Sequence, residues 1–248
     1  MTAGSVGNVG NAEEVSVDRL RAALGVRLAP DAARWLDTGL SQVTADPETA
    51  LCRRFAEAGR QCGRTLLAAA PEAHPADGLP AAAPAEALAW TVDDAVRALL
   101  LAAVPVRAAD AARWATAVYQ GGDATERRGV LRALSLLDVG DHAVPLVTDA
   151  LRTNDLRLVA AALGPYAARH LEAHAWRQAV LKCLHCSIPL RAVAGLSRRA
   201  DAELARMARS YGRELTSAGR PVFADVRSLA GPPPPRTVRR PSPHSSEA

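Results

Sequence analysis

The sequence predicts an all-α fold of stacked antiparallel helix pairs, arranged as a HEAT-like α-solenoid or an irregular helical bundle. Aromatic residues make up only 4% of the chain and hydrophobic residues 49%, so the core must be built mainly from Ala, Leu and Val. Small side chains of this kind suit closely packed helices. Short amphipathic segments are separated by turn pairs such as Gly121-Gly122 and Gly164-Pro165, and no long stretch alternates with the period of two that strands require.

The N-terminal third contains three predicted helices between two breaks. Residues 1–14 are rich in Gly, Asn and Ala and are predicted to be disordered. A helical segment follows over residues 15–70, and the proline- and alanine-rich residues 71–85 predict a surface loop. Cap and proline signals place the three helices at Ser16 to Leu24, from Pro30 onward, and from Pro47 to about Ala70.

Residues 86–230 are predicted to form the main helical domain, and residues 231–248 a disordered tail rich in Pro, Ser and Arg. Thr91 followed three residues later by Asp94 forms a capping box, which begins a helix. Further helices are predicted over 110–121, 123–138, 143–153, 155–163, 166–171, 173–187 and 200–218, with a turn over 222–229.

Targeting and membrane signals are missing from the sequence as given. The first eleven residues lack the basic and apolar regions of a signal peptide, and no apolar run reaches the roughly 18 residues that a spanning helix needs. We therefore expect a cytoplasmic protein. The formal net charge is +4, with the basic excess after Pro189, but no aromatic stacking platform or reader motif accompanies it, so nucleic-acid binding is not expected.

The helix around Trp176 carries the residue types that chemistry would use. It contains Lys182, the only lysine of the chain, and a pair of cysteines. A helical wheel places Cys183 with Trp176 on the buried face, Cys186 beside that face, and Lys182 near its flank. A lysine in such a position binds an anion or acts as a base; alternatively, its stem only covers apolar surface.

Four side chains near this helix are of the types that bind zinc: His170, His174, Cys183 and Cys186. A Cys-x2-Cys pair inside a continuous helix spaces its sulfurs differently from the pair of a zinc ribbon, so we predict no metal site and keep the four residues as a minor alternative. The sequence contains no P-loop, dinucleotide-binding fingerprint or nucleophile elbow. It therefore favours a protein that is not an enzyme and that needs no cofactor.

A set of short motifs runs through the C-terminal half of the chain. It comprises Asn154-Asp155-Leu156-Arg157-Leu158-Val159-Ala160-Ala161, Tyr166, Trp176-x-Gln178-Ala179-Val180-Leu181-Lys182-Cys183, Pro189-Leu190, Gly195-Leu196, Arg199-Ala200, Glu203-Leu204, Tyr211, Glu214 and Ala218-Gly219-Arg220. As a set, these motifs resemble the signature region of the EboA family, over about residues 90–230.

The resemblance implies a protein of a bacterial gene cluster. Such clusters also encode a prenyltransferase-like membrane protein, sugar-phosphate cyclase-like and isomerase-like enzymes, and a metal-dependent hydrolase-like protein. They are associated with making or exporting precursors of secondary metabolites. The resemblance assigns no catalytic residue.

Two functional hypotheses follow. The first is an accessory or scaffold protein that docks other proteins of its pathway, including the prenyltransferase-like membrane protein. The second is a binder of, or an enzyme acting on, an anionic intermediate such as a sugar phosphate or prenyl diphosphate. The candidate residues for contact with a ligand or partner are Arg157, Lys182, Arg191, Glu203 and Arg220.

Overall fold

The computed structural model describes residues 15–67 and 88–231, and these residues form an all-α fold, as predicted. Within these residues, the only β-type pairing is one isolated antiparallel bridge, between Leu66 and Thr91. The α-helices are α1 (Val17–Gly25), α2 (Pro30–Ala45), α3 (Pro47–Cys62), α4 (Val92–Ala102), α5 (Ala108–Gly121), α6 (Ala124–Ala133), α7 (Val144–Arg152), α8 (Leu156–Ala162), α9 (Pro165–His170), α10 (Ala173–His185), α11 (Leu196–Arg199), α12 (Ala202–Ser217) and α13 (Ala224–Ala230). Two 3₁₀ turns span Leu134–Leu136 and Leu190–Ala192.

Three predicted segments lie outside the described residues. They are the N-terminal residues 1–14, the loop over 71–85, and the tail from residue 232 onward. The predicted HEAT-like stacking and the predicted domain boundaries stay predictions.

Side-chain caps fix the predicted helix starts. The Ser16 hydroxyl accepts a hydrogen bond from the Arg19 N–H at 3.2 Å and begins α1. At the start of α4, the Thr91 N–H donates to the Asp94 carboxylate at 3.2 Å, which confirms the predicted capping box. Each cap satisfies a backbone group that has no partner inside its own helix.

The end of the third helix was predicted wrongly. Helix α3 ends at Cys62, well before Ala70, because Gly63 takes a left-handed backbone with φ of 82°. The chain beyond it is extended, and its backbone pairs with the segment before α4. The Leu67 N–H donates to the Trp90 carbonyl, and the Val92 N–H donates to the Thr65 carbonyl, both at 2.8 Å.

The last predicted turn is also a helix. Residues predicted as a turn over 222–229 contain most of α13, which is held in place from two sides. The Leu190 N–H donates to the Asp225 carboxylate at 2.8 Å, and Arg209 donates to the Ala230 carbonyl at 2.6 Å. These bonds join α13 to the chain before α11 and to α12.

Helix α4 lies at the centre of the fold. Every residue from Val92 to Leu101 is buried. Helices α1, α2 and α3, which precede α4 in the chain, pack on it, and so does α6, which follows it. Helix α6 in turn contacts α5 and α8, while α10 contacts α12. The N-terminal helices therefore pack directly against the central helices.

Candidate functional site

Helix α10 buries the face that the wheel predicts. Trp176 and Cys183 are fully enclosed, with 1% and 0% of their surface exposed. The Arg199 guanidinium lies over the Trp176 ring, 4.9 Å from its centre. The same guanidinium donates to the Ala167 and Leu171 carbonyls at 3.1 and 2.7 Å, near the end of α9. A cation–π contact and two hydrogen bonds thus join α9 to α10.

Lys182 is half-buried and is engaged by backbone. Its Nζ donates to the Leu151 carbonyl at 2.6 Å and to the Thr153 carbonyl at 2.8 Å. These carbonyls lie at the end of α7, where no helical partner is available to them. A compact ammonium with three donors can serve two converging carbonyls, whereas a planar guanidinium has a fixed fork. This contact gives the single lysine a structural role.

Replacing Lys182 by methionine is expected to lower the free energy of unfolding by about 1–3 kcal/mol, because two helix-end carbonyls lose their donor. Urea unfolding measures the change. Arg152→Met is the matched control, because Arg152 is an exposed basic residue of α7 and its loss is expected to change little. Equal stability of Lys182→Met and the wild-type protein would contradict the structural role.

The other four candidate residues do not converge. Arg157 pairs with Asp155 at 2.9 Å, and Glu203 pairs with Arg206 at 2.7 Å. Arg191 and Arg220 are exposed. No hydrogen bond or ion pair in the described part of the chain joins any two of the five candidates, Lys182 included.

The four candidate zinc ligands have different surroundings. His170 stacks on Tyr166, with ring centres 4.5 Å apart, and His174 is exposed. Cys183 is buried, and Cys186 is half-buried. Across residues 15–67 and 88–231, no group of three or more His, Cys, Asp or Glu side chains is arranged to hold a metal ion.

The thiols are expected to differ sharply in reactivity. Burial, together with the neighbouring Cys186, raises the pKa of Cys183 to about 12, although Lys182 opposes the shift. Burial and the nearby Asp93 raise the pKa of Cys62 to about 11. Because the thiolate is the reactive form, iodoacetamide at pH 8 is expected to modify the exposed Cys52 first.

Peptide mass spectrometry over time measures the order of modification. Cys183 is expected to react only after urea unfolds the protein, and the unfolded protein is the control for its intrinsic reactivity. Rapid modification of Cys183 in the folded protein would contradict this order.

A cluster of buried charges lies between α4 and α6. We call it the buried charge cluster; its members are Asp93, Asp94, Arg97, Arg128 and Arg132, and each is at most 7% exposed. Arg97 pairs with Asp93 at 2.5 Å. Arg128 and Arg132 both pair with Asp94, at 3.0 and 2.8 Å.

Hydrogen bonds extend this cluster to other segments. Arg97 donates to the Phe55 carbonyl of α3 at 3.1 Å, and Arg132 donates to the Ala89 carbonyl at 2.6 Å. A Cβ at Gly129 would lie 2.8 Å from the Arg97 side chain, so glycine lets α6 approach α4 closely. The cluster thereby ties α3, α4 and α6 together.

The charges of the cluster keep Asp94 ionised. Burial by itself raises the pKa of this carboxyl, but Arg132, Arg128 and the Thr91 hydrogen bond outweigh burial and lower the pKa below its usual value. A carboxylate so stabilised serves as an anchor for two guanidinium groups. The geometry indicates a structural anchor, with no open position for substrate on Asp94.

A surface groove of about 590 Å³ lies where α4 ends, α5 begins and the first 3₁₀ turn passes. We call it the α4–α5 groove. Its apolar wall includes Leu101, Val104, Val106, Leu136 and Leu137, and its polar rim is formed by Arg107 and Asp138. The two rim side chains form an ion pair at 3.2 Å and are largely exposed.

The backbone at the rim of this groove is strained. Ala108 has a φ of 51°, in the left-handed region that non-glycine residues rarely occupy. Its N–H donates to the Asp138 carbonyl at 2.6 Å, which holds the start of α5 against the chain after the 3₁₀ turn. Backbone strain of this kind costs about 1–3 kcal/mol and is concentrated at functional sites.

In a comparison with family models, residues 16–231 match the family described as "Metabolite traffic protein EboA". The chain belongs to the EboA family. This finding confirms the resemblance and extends it upstream, because the match includes α1, α2 and α3 as well as the central helices. Neither a curated protein nor a solved structure matches the chain.

Membership of the EboA family gives the chain a role in metabolite handling. The matched residues include the buried charge cluster and the α4–α5 groove. No helix in residues 15–67 or 88–231 is both long enough and apolar enough to cross a membrane. Of the features described above, the groove has a volume in the range typical of small-molecule sites.

Proposed function

We propose that this EboA-family protein is a non-catalytic accessory protein of a secondary-metabolite pathway, and that it binds its metabolite in the α4–α5 groove. The supporting observation is the combination of a volume of about 590 Å³, the half-buried Leu136 and Leu137 in the lining, and an ion-paired rim. Sites for small molecules commonly have volumes of about 300–1,000 Å³.

The groove favours a metabolite with an apolar body and one hydrogen-bond-accepting or anionic end. Leu136 and Leu137 are half-buried and offer apolar surface to the body. The Arg107 guanidinium is exposed at the rim, and its donors can turn from Asp138 to an anionic group at little cost, since a surface ion pair is worth about 0–1 kcal/mol. We keep the anionic class of ligand from the second functional hypothesis, but we propose that Arg107, and not Lys182, contacts it.

A fluorescence titration with 1-anilinonaphthalene-8-sulfonate tests the groove, because this probe combines an apolar aromatic body with one anionic end. Leu137→Asp is expected to weaken binding of the probe about tenfold or more, since it places a charge in the apolar wall. Arg107→Gln is expected to weaken it a few-fold.

Leu28→Asp is the matched control, because Leu28 is also a half-buried leucine but does not line the groove. Unchanged affinity of the probe for Leu137→Asp, or an equal loss for Leu28→Asp, would refute the groove as the binding site. The same site is tested in the cell by comparing the metabolites of a strain that lacks the gene after complementation with wild type or with Leu137→Asp.

Docking of pathway proteins, including the prenyltransferase-like membrane protein, is a second proposed function. The observation that favours it is the exposed charged surface of the C-terminal helices, which includes Arg191, Glu203, Arg206 and Arg220. Val26, which is 75% exposed, is the single large hydrophobic residue that is exposed in the described part of the chain, so such contacts are expected to be polar and transient.

Charge reversal on this surface tests docking. Arg206→Glu is expected to reduce cross-linking of the protein to other proteins of its pathway in its native cell. Arg34→Glu is the control, because Arg34 is likewise exposed and paired with an acidic neighbour on its own helix. Equal cross-linking of both variants would count against docking through this surface.

A further inference from the structure

One buried charge lies outside the buried charge cluster. Six charged side chains in the described part of the chain are buried, and five of them form that cluster. The sixth is Arg54 of α3, which is 8% exposed. Within residues 15–67 and 88–231, Arg54 forms no ion pair. Because buried charges are normally paired, this exception indicates that a counter-ion is missing.

The neighbours of Arg54 on α2 are neutral. Its Nε–H and Nη2–H donate to the Gln42 side-chain oxygen at 3.1 and 2.9 Å. Its guanidinium also lies over the Trp35 ring, 4.9 Å from the ring centre. The third nitrogen, Nη1, has no partner among the described residues and is not enclosed by them. Arg54 therefore keeps one donor edge that a bound molecule can reach.

A second guanidinium approaches the same oxygen. Arg53 is exposed, and its Nη2–H donates to the Gln42 oxygen at 3.4 Å. Like Arg54, it forms no ion pair in the described part of the chain. Two positive charges thus converge on one neutral oxygen. Their mutual repulsion would be relieved by an anion bound beside them.

The Gln42 amide adds a further donor. Its oxygen must face the two arginines, since guanidinium groups only donate, so its Nε2 faces elsewhere. Covalent geometry keeps Nε2 beside that oxygen, and no described residue accepts its hydrogens or encloses it. The groups of Arg53, Arg54 and Gln42 that remain open are therefore all donors. Such a set fits an oxyanion, which only accepts.

The charge of the site narrows the class of oxyanion. A carboxylate carries one negative charge and would balance only one of the two guanidinium groups. A phosphate monoester carries about −1.5 to −2 at neutral pH and has three strong acceptor oxygens. It can therefore balance both arginines through charge-assisted hydrogen bonds.

We propose that Arg53, Arg54 and Gln42 form a binding site for the phosphate group of a small phosphate monoester. The site lies on α2 and α3, whereas the α4–α5 groove is lined by other elements. The two proposals are therefore independent, and either can fail without the other.

Isothermal titration calorimetry of the full chain with glycerol 3-phosphate tests the site. Low ionic strength is used because salt screens exposed charges. The expected Kd is about 1 mM, as a few charge-assisted hydrogen bonds would give. Acetate is expected to bind at least about tenfold more weakly, because it has one charge and two oxygens. No binding of glycerol 3-phosphate, or equal affinity for acetate, would overturn the proposal.

Gln42→Glu supplies the missing charge from within the protein. It keeps nearly the same shape and places a carboxylate against both guanidinium groups, so the probe is expected to bind about tenfold or more weakly. The Tm is expected not to fall, which separates loss of the site from loss of the fold. A Gln42→Glu protein that binds the probe like wild type would refute the site.

Gln61→Glu is the matched control. It changes the net charge equally, but Gln61 is an exposed residue near the end of α3 that shares no hydrogen bond with Arg53 or Arg54. It is expected to keep the wild-type affinity, and an equal loss in both variants would mean that net charge alone attracts the probe. Arg53→Gln is expected to weaken binding several-fold at an unchanged Tm, because its side chain is exposed.

Discussion

Replacing Asp94 by asparagine is expected to lower the free energy of unfolding by about 3–5 kcal/mol, the usual cost of breaking a buried ion pair from one side. The asparagine side chain would fill nearly the same volume, so the loss is one of charge and not of packing. Arg128 and Arg132 would then lie buried without the carboxylate that they share at 3.0 and 2.8 Å. Far-ultraviolet circular dichroism in a urea titration measures the change.

Asp110→Asn is the matched control for this prediction. Asp110 also lies in the first turn of a helix and also pairs with an arginine, Arg113, but both side chains are mostly exposed. Exposed pairs contribute about 0–1 kcal/mol, so the control is expected to unfold close to wild type. Equal effects of the two substitutions would mean that burial does not set the value of the Asp94 pairs.

Replacing Trp176 by alanine is expected to cost about 3–5 kcal/mol, as is usual when a large core aromatic is removed. Trp176 is only 1% exposed, and its ring carries the Arg199 guanidinium that also holds the carbonyls at the end of α9. The loss therefore combines a cavity in the core with a weakened contact between α9 and α10. Thermal unfolding and urea titration both measure it.

Two comparisons separate these contributions. Trp176→Phe keeps a ring for Arg199 and removes an indole N–H that has no partner, so it is expected to cost less than Trp176→Ala. Trp114→Ala is the control for loss of a tryptophan as such, because Trp114 is only half-buried. A Trp176→Ala protein as stable as Trp114→Ala would contradict the central packing of Trp176.

Local signals predicted the starts of helices well and some of their ends poorly. Ser16 and Thr91 cap helices through bonds to residues three positions away, and such bonds can be read from the sequence. The end of α3 could not be located from hydrophobic pattern alone, because apolar residues continue beyond Gly63. The extended conformation there depends on backbone bonds to residues 90–92, which a local pattern does not contain.

In the candidate site, too, local features were predicted from the sequence, whereas contacts with residues distant in the chain were not. The wheel placed Lys182 at the flank of the buried face, but its partner carbonyls lie about thirty residues away. The sequence identified Asp94 as a cap and missed its two arginines, which come from another helix. The i, i+4 spacing of Arg128 and Arg132 among apolar neighbours indicates that both lie on one buried face of a helix. This spacing does not identify Asp94 as their shared partner.

The bond from Arg97 to the Phe55 carbonyl has a consequence for how the chain unfolds. It links α3 to α4 inside a cluster whose remaining charges lie on α4 and α6. Opening α3 away from α4 would break this bond and leave the buried Arg97 Nε–H without its acceptor, which is costly. Helices α3, α4 and α6 are therefore expected to open as one cooperative unit, with similar protection of their amides from hydrogen exchange.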